Sequence, residues 1–246
     1  MQKSIDTLFG TLLVFSIAAC GQSGIRNAIV TSEKNLPRPA RILVYDFAVS
    51  EREVTEYQGI MRQQPSVKDP VERQRQLANE VKDALAEEVV NGLRALGFTV
   101  ESVSRGIAAT GTELLVDGRF LIVNEGNPLR RLVIGFGSGT STVDSRVQVY
   151  QGGGNARKVL EFTTHSDSGM MPGAGPTLGA GAAVQGGVTA ATVVANTAIE
   201  GVKTYKSDVA QMAASSGDQV VRYLSEFFAQ QGWIPADQVR KARIAY

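Results

Sequence analysis

The residues of this sequence that could carry out covalent or metal chemistry are few. It contains one cysteine, Cys20, and one histidine, His165. A lone cysteine cannot form an intramolecular disulfide or, by itself, a thiolate metal site. His165 is followed by Ser166 and Asp167, but neighbouring residues on a strand point to opposite faces, so a Ser-His-Asp triad is not expected. We therefore predict that the chain is not an enzyme, has no catalytic residues and holds no metal or cofactor.

A glycine-rich run, GFGSGTS at residues 135–141, is the motif most similar to a ligand-binding loop. Glycine loops can hold phosphate through backbone N–H groups when they lead into a helix. Here the spacing is G-x-G-x-G, without the further glycine of a dinucleotide site or the Gly-Lys-Ser/Thr of a P-loop, and a strand pattern follows. We interpret the run as a loop or bulged strand. The adjacent Arg130 and Arg131 could add an anion site, but a solvated basic pair is the favoured interpretation.

The N-terminus has the pattern of an export signal. Lys3 precedes an apolar run at residues 8–17, which is too short to cross a bilayer as a helix but suits a secretory signal. IAAC at residues 17–20 then resembles a lipobox, in which the cysteine is acylated and becomes the new N-terminus. We predict lipidation of Cys20, and Gly21 after it favours the outer membrane, facing the periplasm of a bacterial envelope.

The charge balance argues against nucleic acid as a partner. The chain has 25 basic and 24 acidic residues and a formal net charge of +1. Nucleic-acid-binding domains carry a basic stripe or a strongly basic balance. We expect no nucleic-acid partner.

The clearest secondary-structure signal is a long helix in the first half of the chain. Asp69 is placed as its N-cap, Pro70 as its first residue, and Glu72 completes a capping-box pattern. Apolar residues at spacings of three and four then continue from residue 77 to 96 and form one buried stripe. Gly97 is placed to end the helix.

Strand patterns surround this helix. Residues 41–49 and 98–103 are predicted strands, so the helix belongs to a strand–helix–strand unit. Residues 113–164 are β-rich, with an interruption at Asp117 and Gly118, and alternate near the end as a half-solvated hairpin does. A last helix is predicted at residues 218–230, capped by Asp218.

These elements predict one α+β (or α/β) domain, with a mixed sheet packed by two or three helices. The expected divisions are a signal peptide at 1–19, a lipid-anchored flexible tether at 20–39, the domain at 40–235 and a C-terminal tail at 236–246.

Within the domain, residues 168–198 are rich in glycine and alanine. Small residues recur every four positions and could line a close interface: Gly175, Gly179, Ala183 and Gly187. Packing of this segment on its own domain is the favoured interpretation, an oligomer interface is the second, and membrane insertion is the third, because prolines and glycines replace the leucines that drive insertion.

The order of several segments resembles a known bacterial family. They are the lipobox, ARILVYDFAV, a helix ending in LRALGF, LLVDGRF, RRLVIGFGSGTS and a closing helix ending in QQGWIP. Together they resemble the domain-of-unknown-function family numbered 4410, over about residues 40–234. The resemblance implies an envelope lipoprotein and transfers no catalytic residues.

The sequence therefore favours a membrane-anchored envelope lipoprotein with a non-enzymatic, partner-binding domain in the periplasm. The expected partners are the membrane, through acyl chains on Cys20, and an envelope protein or a second copy of the chain. One alternative is a subunit of an oligomeric envelope or secretion assembly that uses the glycine-rich segment as its interface. A ligand-binding or enzymatic domain is the least favoured alternative.

Overall fold

A computed structural model describes residues 22–55, 70–105, 111–126, 140–152, 156–168 and 208–245. Cys20, the glycine-rich run up to residue 139 and the possible interface residues Gly175, Gly179, Ala183 and Gly187 lie outside these ranges. The strands are β1 (Ser23–Val30), β2 (Ile42–Tyr45), β3 (Val54–Thr55), β4 (Val100–Val103), β5 (Leu114–Asn124), β6 (Thr142–Gln151) and β7 (Arg157–Asp167). The helices are α1 (Pro70–Ala95) and α2 (Asp208–Gln230), with short 3-10 turns at Glu51–Glu53 and Ala236–Gln238.

The seven strands form one mixed sheet in the order β1-β7-β6-β5-β2-β4, and β3 also pairs with β5. The pairs β1–β7, β7–β6 and β6–β5 are antiparallel, whereas β2 is parallel to both β5 and β4. The predicted α+β class with a mixed sheet is therefore confirmed. The parallel part arises from the strand–helix–strand unit, since β2 and β4 need α1 as their crossover.

Both helices pack on the same face of the sheet and enclose one core. The predicted stripe of α1 is buried, with Val81, Leu85, Val89 and Leu93 fully covered. Gly97 ends this helix with a φ of 83°, a conformation that glycine adopts without strain.

The two helices approach each other closely at two glycines. A Cβ atom at Gly92 on α1 would lie 2.5 Å from a methyl group of Val221 on α2. A Cβ atom at Gly217 on α2 would lie 3.0 Å from the backbone oxygen of Leu85. The missing side chains therefore allow the helix backbones to come together.

The last helix begins ten residues before the predicted start. Asp218 lies inside α2 and does not cap it: its carboxylate pairs with Arg222 and Arg240. Burial of Val209 and Ala213 in the core, together with the glycine contact on α1, stabilises this first part of α2 despite its weak local propensity.

The predicted tether at residues 20–39 is wrong for its larger part. Residues from Ser23 to Val30 form β1, which pairs with β7, and Ile25 is only 1% exposed. The predicted C-terminal tail also folds back, because Ile25 donates its N–H to the Arg243 oxygen at 2.7 Å. Both segments lack alternating apolar residues, so only distant backbone partners place them in the sheet.

The segment between β1 and β2 is also fixed to the domain. Leu36 is buried, and its N–H donates to the Gln231 side chain at 3.0 Å. Its carbonyl oxygen accepts a hydrogen bond from the indole Nε1 of Trp233 at 2.8 Å. The described part of the predicted tether is thus held at both ends.

The predicted interruption at Asp117 and Gly118 does not occur, because β5 is continuous through both residues. Position 118 requires glycine because a Cβ atom there would lie 2.3 Å from the ring of Phe47. After β2 the chain forms the 3-10 turn and β3, and residues 56–69 lie outside the described ranges.

A polar face of the sheet as the candidate binding surface

The face of the antiparallel strands opposite the helices carries polar and charged side chains. Alternation along each strand buries one set of residues and directs the other set to this face. We call it the polar face and define it by Arg26, Asp117, Arg119, Asp144, Arg146, Gln148, Glu161, Thr163, His165 and Asp167.

Strand register arranges these side chains in rows. Arg119 on β5 is directly opposite Arg146 on β6, which is opposite Thr163 on β7, which is opposite Arg26 on β1. Directly opposite residues have their side chains on the same face. One row of the polar face therefore contains three arginines.

His165 lies in the next row, between two carboxylates. Its Nδ1 is 2.6 Å from Asp144 Oδ1, and its Nε2 is 3.1 Å from Asp167 Oδ2. The second oxygen of Asp167 accepts the backbone N–H of Gln22 at 3.2 Å, so this cluster also holds the start of β1.

The hydroxyl groups next to His165 in sequence point to the other face. Thr164 is fully buried and shares a 2.6 Å hydrogen bond with Ser145. Ser166 is 1% exposed and contacts the sulfur of Met212. The opposite orientation of neighbours expected from the sequence is thus present, and neither hydroxyl joins the histidine and its carboxylates.

Replacing His165 with alanine should lower the free energy of unfolding by about 1–3 kcal/mol, because the hydrogen-bonded contacts of the ring with Asp144 and Asp167 would be lost. Chemical denaturation followed by circular dichroism would measure this. The matched control is Thr163→Ala, on the same strand and face, with an expected change within about 0.5 kcal/mol. Equal effects of the two substitutions would show that the carboxylate contacts add nothing to stability.

A concavity of about 400 Å³ lies at the β5 side of the arginine row. Its floor is formed by β5 and β6, and Ala48 and Arg105 form a wall. Its lining includes three guanidinium groups, those of Arg105, Arg119 and Arg146, and one carboxylate, that of Asp117. We call this concavity the arginine pocket.

Arg105 is held firmly in the wall of this pocket. Its Nη2 donates to Asp117 Oδ1 at 2.6 Å and to the backbone oxygen of Gly118, and its Nε donates to the Asp46 oxygen at 2.9 Å. Asp117 also accepts the N–H of Gly118 at 2.8 Å. The Arg105–Asp117 pair is thus fixed by contacts to the backbone of two different segments.

Glu161 is the acidic residue closest to Arg146, but its main partners lie elsewhere. The Arg146–Glu161 separation is 3.8 Å, whereas Glu161 forms an ion pair with Lys158 and accepts a hydrogen bond from Gln148 at 3.0 Å. The hydrogen bond from Lys158, followed by that from Gln148, lowers the pKa of Glu161 below its ordinary value. Glu161 therefore neutralises Lys158 more than Arg146.

Sequence reasoning identified His165 but missed the polar face as a unit. Of the glycine-rich run, only its last two residues are described, and Ser141 is buried with its hydroxyl donating to the Glu125 oxygen at 2.6 Å. Arg130 and Arg131 lie outside the described ranges. The signal in the sequence that could have revealed the polar face was the alternation of Asp144, Arg146 and Gln148 with valines along β6.

Two further features are absent from the part of the chain that the structure describes. No group of three or more histidine, cysteine, aspartate or glutamate side chains could hold a metal ion. No described helix is long and apolar enough to span a membrane.

The described part of the chain is thus a small α+β domain with one mixed sheet. Helices cover one face of this sheet, and the other face carries rows of charged side chains. The model of the family described as "Domain of unknown function (DUF4410)" matches residues 42–185, more than half of the chain. The chain belongs to this family, as its segment order indicated.

No curated protein matches the sequence significantly. Among solved structures, a variant PelC dodecamer from Paraburkholderia phytofirmans is 12% identical with a TM-score of 0.34, covering 78% of this chain and 98% of that one. A second PelC dodecamer from the same organism is 14% identical with a TM-score of 0.32, covering 57% and 82%. Similarity at this level carries no argument about how this chain assembles.

Proposed function

We propose that the chain is a lipid-anchored, non-enzymatic binding domain of the bacterial envelope, and that the polar face is its binding surface. The observation that supports this is the uneven covering of the sheet. Both helices pack on one face, whereas the other face presents charged side chains in fixed register. A set of charges at fixed positions on a sheet suits recognition of a polar partner, because the strand backbones that position them need not be ordered on binding.

The proposed anchor is a set of acyl chains on Cys20, which would place the domain at the outer membrane facing the periplasm. A Cys20→Ser variant should lose incorporation of labelled fatty acid and leave the membrane fraction. A Ser23→Cys variant in the Cys20→Ser background is the matched control, because its thiol lies outside the lipobox, and it should stay unlabelled. Unchanged labelling and membrane retention of Cys20→Ser would contradict the anchor.

The binding surface is tested by charge reversal on each side of the sheet. Arg119→Glu changes the polar face, and Arg75→Glu changes the exposed surface of α1, where Arg75 pairs with Glu72. After mild extraction from membranes, the wild type and Arg75→Glu should sediment as a complex larger than the chain, and Arg119→Glu as the chain alone. Loss of the complex with Arg75→Glu and its retention with Arg119→Glu would contradict the proposal.

A second candidate function is that of a subunit in an oligomeric envelope or secretion assembly. The feature that favours it is the end of the edge strand β1, where Ile29 is 66% exposed and Val30 is 41% exposed. Exposed edge strands can pair with another chain. Deletion of residues 169–190 should abolish the assembly if the glycine-rich segment is its interface, and Ile29→Lys should abolish it if β1 is the interface. Intact assembly in both variants would contradict this candidate.

A further inference from the structure

The arginine pocket has more positive charge than its own residues neutralise. The Arg105 charge is offset by Asp117 at 2.6 Å. The guanidinium of Arg119 makes no hydrogen bond or ion pair with any residue in the described ranges, and Arg119 is exposed. Among the described residues, the guanidinium of Arg146 has only the 3.8 Å contact with Glu161, which itself pairs with Lys158. About two positive charges therefore remain in a concavity of about 400 Å³.

These two charges also stand directly against each other. Arg119 and Arg146 are register partners on adjacent antiparallel strands. Like charges in this position destabilise a sheet, whereas opposite charges stabilise it. A fold that only needed stability would place an acidic residue at one of the two positions. In the absence of a ligand, the Arg119–Arg146 contact therefore lowers the stability of the domain. A bound anion would restore that stability.

We propose that the arginine pocket binds a phosphoryl group of an anionic ligand, held by Arg119 and Arg146 with Arg105 as the fixed third wall. This inference rests on the proposed function, since it names the chemistry that the polar face recognises. The guanidinium plane presents paired N–H donors that match phosphate oxygens, and Arg105 uses only Nε and Nη2 in its contacts with described residues. A phosphate monoester carries close to two negative charges at pH 7, which matches the uncompensated charge.

The pocket is larger than one inorganic ion needs, and its volume is in the range of small-molecule sites. The ligand class is therefore a phosphorylated organic molecule, such as a sugar or glycerol phosphate, or the headgroup of an anionic phospholipid. Both sources present the same phosphoryl group to the arginines.

Titration of the full lipidated chain with glycerol 3-phosphate, in a non-ionic detergent, tests the proposal by calorimetry. Arg119→Gln and Arg146→Gln should each weaken binding about tenfold or more, because each removes a charge-assisted pair. The matched control is Arg75→Gln on α1, which should bind like the wild type. Added salt should weaken binding in the wild type.

A stability measurement separates a binding role from a structural one. Without ligand, Arg119→Gln should melt at the same temperature as the wild type or higher, because the like-charge contact is relieved. Glycerol 3-phosphate should raise the melting temperature of the wild type and not that of Arg119→Gln. A lower melting temperature of Arg119→Gln without ligand would contradict the argument.

Three results would overturn the proposal: no binding of glycerol 3-phosphate to the wild type, an equal loss of affinity in Arg75→Gln and Arg119→Gln, or equal affinity of the wild type for succinate, a dicarboxylate.

Competition by lipid discs containing phosphatidylglycerol would support the proposal with a lipid headgroup as the source, and absence of competition would support it with a soluble phosphate. If phosphate fails to bind while Arg119→Glu still disrupts a membrane complex, only this inference fails. If both fail, the proposed function fails as well.

Discussion

Replacing Trp233 with alanine should lower the free energy of unfolding by about 3–5 kcal/mol. Trp233 is 5% exposed and packs against Phe228 and Phe227, with ring centroids at 5.2 and 5.8 Å. Its indole N–H also donates to the Leu36 oxygen, which ties the segment after β1 to the end of α2. The substitution would therefore open a cavity and leave a buried carbonyl without its donor.

Urea denaturation followed by far-ultraviolet circular dichroism measures this effect, since Trp233 is the only tryptophan and its fluorescence is lost in the variant. Trp233→Phe is the matched control. It keeps an aromatic ring but removes the hydrogen bond, and the expected loss is smaller, about 1–3 kcal/mol. A loss below about 1 kcal/mol for Trp233→Ala would show that the segment around Leu36 does not depend on this contact.

Replacing Gly92 with alanine should destabilise the domain by about 1–3 kcal/mol, although alanine is the better helix former. The new Cβ would lie 2.5 and 2.9 Å from the two methyl groups of Val221. Valine is stiff at χ1 in a helix, so rotation does not relieve the contact. The helices would have to separate, and their shared core would lose contacts.

The sign of this effect distinguishes packing from propensity. Propensity alone predicts that Gly92→Ala stabilises by about 1 kcal/mol, and the exposed neighbour Asn91→Ala is the control for that effect. In a Val221→Ala background, the Gly92→Ala substitution should become neutral or stabilising, because the clashing methyl groups are gone. Destabilisation of the same size in both backgrounds would contradict the close approach of α1 and α2 at this point.

The elements that could be predicted from the sequence are those with a local signal. The amphipathic stripe and terminal glycine identified α1, and strict alternation identified β6 and β7. The strand β1 was missed because Ile25 is its only buried apolar side chain, and its partners on β7 are at least 130 residues away. A strand stabilised by distant backbone hydrogen bonds leaves no periodic pattern in its own residues.

The candidate site, too, could be predicted from the sequence only where the signal was local. Alternation placed Asp144, Arg146 and Gln148 on a solvated face, and it kept His165 apart from the hydroxyls beside it. The arginine row needs more than alternation, since Arg119 lies opposite Arg146 only in one register of β5 against β6. A shift of one residue would direct these side chains to the other face, and the sequence of either strand alone does not fix that register.

The proposed binding surface is tested most directly by site-specific photo-crosslinking in intact cells. A photoreactive amino acid at Thr163, in the arginine row of the polar face, is compared with one at Glu87, which is exposed on α1. The proposal predicts a discrete crosslinked product from position 163, lost when Arg119→Glu is added, and none from position 87. A product from position 87 with none from position 163 would contradict the polar face as the binding surface.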